Sequence, residues 1–310
     1  MDLKIREFEL QILHFFRDKV AIPFLDVLAQ IITFFGEEYI IIAVIFIAFF
    51  IIDKHLGKTI AYVVLTNMLI NNSIKGIIKY PRPFVYDPTL NASRIQTATG
   101  FSFPSGHAQN ASSAYFAFAY NNNFNNRTKK IIWIVSIVLV TLVSLSRIYL
   151  GVHYPKDVII GVALGIGCMF LCSFLMNKYK NDFKSMFLLL LITFILFTPF
   201  IFIFYRKEYT DFYIFRDFYL AYGLYAGCLL GFFLDEKFLN YSTTTSFIKR
   251  IIRLVVATAF ALLIKVGFKY LFLLFCPDGS IFLDMLRYFL MAVVVLFVVP
   301  LIFKNNLFKD

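Results

Sequence analysis

Apolar runs of about 20 residues recur along this chain of 310 residues. That is the length an α-helix rising ~1.5 Å per residue needs to cross ~30 Å of hydrocarbon. Inside lipid a backbone must satisfy its own hydrogen bonds, and runs this long do so as helices. Composition points the same way, with 60% hydrophobic and only 16% charged residues and a mean hydropathy of +0.76, far from a soluble domain. The expected fold is all-α, a polytopic membrane helical bundle. The runs predict nine transmembrane helices, at about 37–52, 58–78, 105–121, 131–150, 156–177, 185–205, 217–235, 251–275 and 282–303.

Residues 3–19 interleave Leu3, Phe8, Leu10, Leu13 and Phe16 with Lys4, Arg6, Glu7, Glu9 and Arg17. Such a segment predicts an amphipathic N-terminal helix, too charged to span and suited to the interface. With no apolar h-region in the first twenty residues, a cleavable signal peptide is not expected. The expected organisation is an interfacial segment over 1–36, a catalytic core over 37–180 and a four-helix transmembrane extension over 181–310.

A net charge of +11 raises the question of a polyanionic partner. Setting the spans outward from the polar motifs described next, the inner turns hold fourteen Lys/Arg, including Lys54, Lys58, Lys129, Lys130, Lys249 and Arg250. The outer loops, motif residues excluded, hold six. That asymmetry is the positive-inside pattern, so the lipid bilayer accounts for the charge and no nucleic acid is called for. Cys168, Cys172, Cys228 and Cys276 sit in or beside apolar segments and read as small core residues.

Three polar clusters interrupt the apolar pattern at span ends. Lys75-Gly76-Ile77-Ile78-Lys79-Tyr80-Pro81-Arg82-Pro83 closes the second span. Phe103-Pro104-Ser105-Gly106-His107 opens the third, and Ser146-Arg147 through His153 to Asp157 joins the fourth and fifth. If the spans alternate, all three lie on one side and can converge. Lys75, Arg82 and Arg147 would bring three cations together, and Arg offers a donor fork that matches phosphate oxygens. Ser105 stands where an N-cap belongs, with Gly106 leaving the first helical N–H groups uncovered, a terminus suited to an anion. This surrounding fits a phosphate dianion. An imidazole titrating near ~6.5 can act as nucleophile or acid. Asp157, four residues after His153 and in the first turn beyond Pro155, can orient its ring. A zinc site from the same histidines and Asp157 would leave the three cations unexplained. Asn67, Asn71 and Asn72, before Lys75, either support the site or hydrogen-bond between helices.

The pattern Lys-x6-Arg-Pro, then Pro-Ser-Gly-His, then Ser-Arg-x5-His-x3-Asp resembles the type 2 phosphatidic acid phosphatase superfamily at each signature position. The resemblance covers about residues 58–175. It implies a helical core, a phosphohistidine intermediate, no metal and no cofactor. It assigns His153 as nucleophile, Asp157 as its orienter and His107 as general acid, with Lys75, Arg82, Ser105, Gly106 and Arg147 binding phosphate. Nine spans resemble the sphingosine-phosphate phosphatase and glucose-6-phosphatase branches.

The expected activity is a phosphatase hydrolysing a lipid phosphate or diphosphate on the non-cytoplasmic face. Its substrate would be a phospholipid, sphingolipid or polyprenyl phosphate. Transfer of the phosphoryl group to another acceptor, or hydrolysis of a soluble sugar phosphate, stays open on the same residues. A bacterial cell (inner) membrane is the expected location, with an endomembrane as the alternative.

Overall fold

The structure is a computed structural model, and it describes residues 3–206, 213–240, 242–243 and 245–305. Every regular element among them is helical. The helices are α1 (Leu3–His14), α2 (Pro23–Phe34), α3 (Glu38–Ile47), α4 (Lys54–Ile78), a single turn α5 (Pro83–Tyr86), α6 (Gly106–Asn121), α7 (Asn126–Tyr149) and α8 (Pro155–Lys178). After them come α9 (Phe183–Phe197), α10 (Pro199–Ile203), α11 (Arg216–Leu234), α12 (Phe247–Phe275), α13 (Ile281–Val293) and α14 (Val299–Asn305).

The apolar runs all became helices, but they do not all have membrane-crossing character. Among the described residues, six segments are long and apolar enough: Asn126–Tyr149, Pro155–Lys178, Phe183–Ile203, Arg216–Leu239, Phe247–Phe275 and Ile281–Lys304. A seventh is possible if α2 and the segment Glu38–Ile52, bent by 43°, form one broken span. The spans expected at 58–78 and 105–121 fall on α4 and α6, which do not qualify. The reason is chemical. α4 carries Asn67, Asn71, Asn72, Ser73 and Lys75 in its second half, while α6 is only 16 residues long, about 24 Å, and rich in Ala and Ser. α6 buries Ala108, Gln109, Ala111, Ser112, Ser113, Ala114 and Ala117. A helix packed against protein along its length has no lipid to satisfy, so small and polar residues replace large apolar ones.

The chain divides into two compact units, Met1–Ala43 with Ile70–Leu171, and Val44–Leu69 with Cys172–Asp310. In the first, α6 and α8 meet through glycines one turn apart. A Cβ on Gly161 would lie 2.8 Å from the Ser105 carbonyl oxygen, and one on Gly165 would lie 2.6 Å from that of Gln109 and collide with Ser112. α1 packs Leu10 and Leu13 against Tyr80, Leu90 and Tyr154. Its Glu9 carboxylate accepts from the Lys156 backbone N–H at 2.8 Å, which ties α1 to the first turn of α8.

In the second unit, α11 presents Gly223, Gly227 and Gly231 to α13 and the turn that follows it, where added Cβ atoms would strike the Met285 and Phe289 carbonyls and the Leu296 side chain. This is the small-residue stripe that lets membrane helices approach closely. Asp284 and Arg287 are joined at 2.5 Å, and Arg216 donates to the same carboxylate at 3.0 Å. Asp235 is fully buried and pairs with Lys54 at 2.6 Å and Lys58 at 3.6 Å, with Glu236 beside them.

Candidate active site

The site lies wholly within the first unit. Each polar cluster ends or begins a helix there: Lys75 in the last turn of α4, Ser105 at the N-cap of α6, Arg147 in the last turn of α7 and Asp157 in the first turn of α8. His153 stands in the short turn between α7 and α8, where Gly151 takes a positive φ of 72° that an L side chain rarely adopts.

His153 is 1% exposed and held from both ring nitrogens. Arg82 Nη1 donates to His153 Nε2 at 3.1 Å. Because a guanidinium has no acceptor, Nε2 must present its lone pair and the proton of the neutral ring sits on Nδ1. Nδ1 faces the Asp157 carboxylate at 3.4 Å and Ser102 Oγ at 3.4 Å. Burial, then the positive charges of Arg82, Arg147 and Lys75, push the imidazole well below its ordinary value. These effects favour the neutral ring, with its proton on Nδ1.

Asp157, fully buried, is fixed in turn. Oδ2 accepts Ser102 Oγ–H at 2.5 Å and the Tyr154 backbone N–H at 3.1 Å. The Asp157 carbonyl accepts the Ser105 N–H at 2.9 Å, joining the His153 turn to the start of α6. Arg82 is braced by three carbonyls, donating to Gly100 at 3.1 Å, Thr99 at 2.5 Å and Val152 at 3.1 Å. Its cost of burial is thereby offset, and its position is set by backbone rather than by mobile side chains.

The other expected residues surround this pair. A Cβ on Gly106 would lie 3.5 Å from Asn71 Oδ1 and 3.9 Å from Lys75 Nζ, so the lysine ammonium stands at the uncovered start of α6. Ser105 Oγ, His107 Nε2, and Arg147 Nε and Nη2 are buried without a partner among the described residues. Ser105 therefore does not cap α6 with its side chain. These are four buried polar atoms, three of them donors in their usual states, and such a group suits an anionic ligand. Asn71 hydrogen-bonds between helices, its amide donating from α4 to Gln109 Oε1 in α6 at 2.6 Å and to the Pro104 carbonyl just before it at 3.4 Å.

Sequence reasoning passed over Ser102 and Thr33, the latter accepting from Arg147 Nη1 at 2.8 Å. A single hydroxyl in a loop or an apolar helix carries no pattern to find it by. Gly161 and Gly165 were legible in principle, being small residues four apart.

The PAP2 superfamily profile matches residues 57–182, and that of the transmembrane extension of PAP2 superfamily phosphatases matches residues 219–308. The chain belongs to the PAP2 superfamily. Its PAP2 region holds every residue from Lys75 to Asp157, while Glu9 and Thr33 precede it. Over 110 residues it is 38% identical to phosphatidylglycerophosphatase B of Bacillus subtilis, covering 34% of this chain and 51% of that protein. It is 32% identical to dolichyldiphosphatase of Saccharomyces cerevisiae, covering 45% and 60%. It is also 32% identical to undecaprenyl-diphosphatase of Sulfolobus acidocaldarius, covering 44% and 64%. The chain thus spans between half and two thirds of the length of these PAP2 relatives.

Proposed function

We propose that this integral membrane protein is a phosphatase that removes phosphate from a lipid phosphate or diphosphate through a covalent intermediate on His153. The observation carrying the reading is the neutral His153 ring, with its Nε2 lone pair facing Arg82 and its Nδ1–H facing Asp157. Phosphoryl transfer depends chiefly on an in-line nucleophile and on positive charge around the transferring oxygens. In the first step Nε2 attacks phosphorus, the P–O bond to the lipid breaks, and His107 gives its proton to the departing oxygen. In the second, water attacks the phosphohistidine, His107 takes the water's proton, and the N–P bond breaks to release phosphate. Lys75, Arg82, Arg147, Ser105 and the first N–H groups of α6 hold the phosphate oxygens throughout. The Nδ1 proton stays toward Asp157, which stabilises the ring as it becomes cationic.

A lipid substrate is favoured because the site lies at helix ends, where a headgroup meets protein while its tails stay in hydrocarbon. The relatives' names support the same class. The positive-inside distribution supports a site on the non-cytoplasmic face, in a proposed nine-crossing layout with α4 and α6 enclosed by protein and α1 at the interface. A bacterial cell membrane is the proposed location.

The test is phosphate release by the purified protein in detergent from phosphatidylglycerol phosphate, phosphatidic acid, sphingosine 1-phosphate, undecaprenyl diphosphate and glucose 6-phosphate. Release from one of the lipids that survives EDTA and vanishes in His153→Ala supports the reading. Turnover of the sugar phosphate alone, or full turnover by His153→Ala, overturns it.

A further inference from the structure

Arg147 is completely buried, and one corner of its fork is held by protein: Nη1 donates to Thr33 Oγ1 at 2.8 Å. Nε and Nη2 are enclosed without a partner among the described residues. Those two nitrogens carry the N–H bonds that run parallel along one edge of a guanidinium, the edge that meets two phosphate oxygens at once. A long side chain can turn its fork in several ways, and a fixed acceptor at the opposite corner selects one of them.

Thr33 is well placed to be that acceptor. It is 0% exposed, next to last in α2, and its β-branched side chain has few rotamers in a helix. The residues just beyond it are tightly held. A Cβ on Gly36 would lie 2.8 Å from Val143 Cγ1 and 3.1 Å from His107 Cβ, and the Phe35 carbonyl accepts from Tyr115 Oη at 2.7 Å. The end of α2 therefore rests on α7, which carries Arg147, and on the turn that carries His107.

We propose that Thr33 is a positioning residue of the phosphate site, holding Arg147 by Nη1 so that its Nε–Nη2 edge is presented to the phosphoryl group. This rests on the phosphate reading of the site, and it assigns a role to a residue that precedes the PAP2 match.

The experiment measures inorganic phosphate binding to the full-length protein in detergent, together with kcat, KM and thermal melting. Thr33→Val keeps the shape and removes the acceptor; Thr33→Ala is the second variant if Val does not fold. Thr33→Val should weaken phosphate binding and raise KM by about ten-fold, the size of a lost hydrogen bond to a charged group. Thr33→Ser should restore both. In an Arg147→Ala background, Thr33→Val should add no further loss, because the two act as one unit. Unchanged phosphate binding in Thr33→Val, or the same loss with and without Arg147, would overturn the proposal. A wild-type protein that binds no phosphate would overturn the phosphate reading itself, and this assignment with it.

Discussion

Arg82 donates to the Nε2 atom of His153, and this one bond fixes which ring nitrogen carries the lone pair. A guanidinium cannot accept, so the lone pair must be on Nε2 and the proton on the side of Asp157. In the proposed mechanism, the residue that binds phosphate also orients the nucleophile before phosphate arrives.

Replacing Arg82 with Lys should cut kcat/KM by at least about 100-fold, in the range found for losing a preorganised donor to a transition-state oxygen. An ammonium cannot span Gly100, Thr99 and Val152 while also reaching His153. Steady-state kinetics with a melting curve separate this loss from unfolding. Near-wild-type turnover in Arg82→Lys would show that a point charge suffices.

The acidic limb of kcat/KM should lie below ~6.5, the ordinary imidazole value. Burial, then the nearby cations, disfavours imidazolium, so His153 keeps its lone pair as pH falls until its lowered value is reached. Replacing Arg82 with Gln removes one cation and should move the limb upward. A pH–rate profile on both proteins reads the sign.

Ser102→Ala should lower kcat by about ten-fold, because the Asp157 carboxylate loses a buried donor. Asp157→Asn should cost more, since the amide can offer its own N–H to Nδ1 and favour the wrong tautomer. The double variant should be no worse than Asp157→Asn alone, as the serine acts through the carboxylate. Additive losses in a double-mutant cycle would place Ser102 in a separate role.

In the second unit, Asp235→Ala should destabilise the protein by about 3 kcal/mol or more, because it leaves Lys58 and Lys54 without their buried counter-charge. Replacing Lys58 with Met in the same protein should recover part of the loss. Thermal unfolding in detergent measures both.

Much of the site could be read from the sequence because its residues stand where helices start and stop. Charged and Gly-Pro-rich clusters are conspicuous between apolar runs, and Lys75, Arg82, His107, Arg147, His153 and Asp157 all announce themselves in that way. Ser102, Thr33 and Glu9 do not. Each acts through contacts formed only when distant segments pack, and no local pattern distinguishes them from ordinary loop or helix residues. The helices were legible for the same reason as the site, but their relation to lipid was not. A hydropathy reading takes each apolar run as lipid-facing, whereas α6 is covered by protein and built from Ala, Ser and Asn.

The claim on which the mechanism rests is that phosphate passes through His153. Wild-type protein mixed with a lipid phosphate carrying radiolabelled phosphate, then quenched in alkali within one turnover, should retain acid-labile label on a peptide containing His153. His107→Ala should slow both the appearance and the loss of that label, since the residue gives a proton in the first step and takes one in the second. Label absent from His153 in wild-type protein that is visibly turning over substrate would contradict the mechanism.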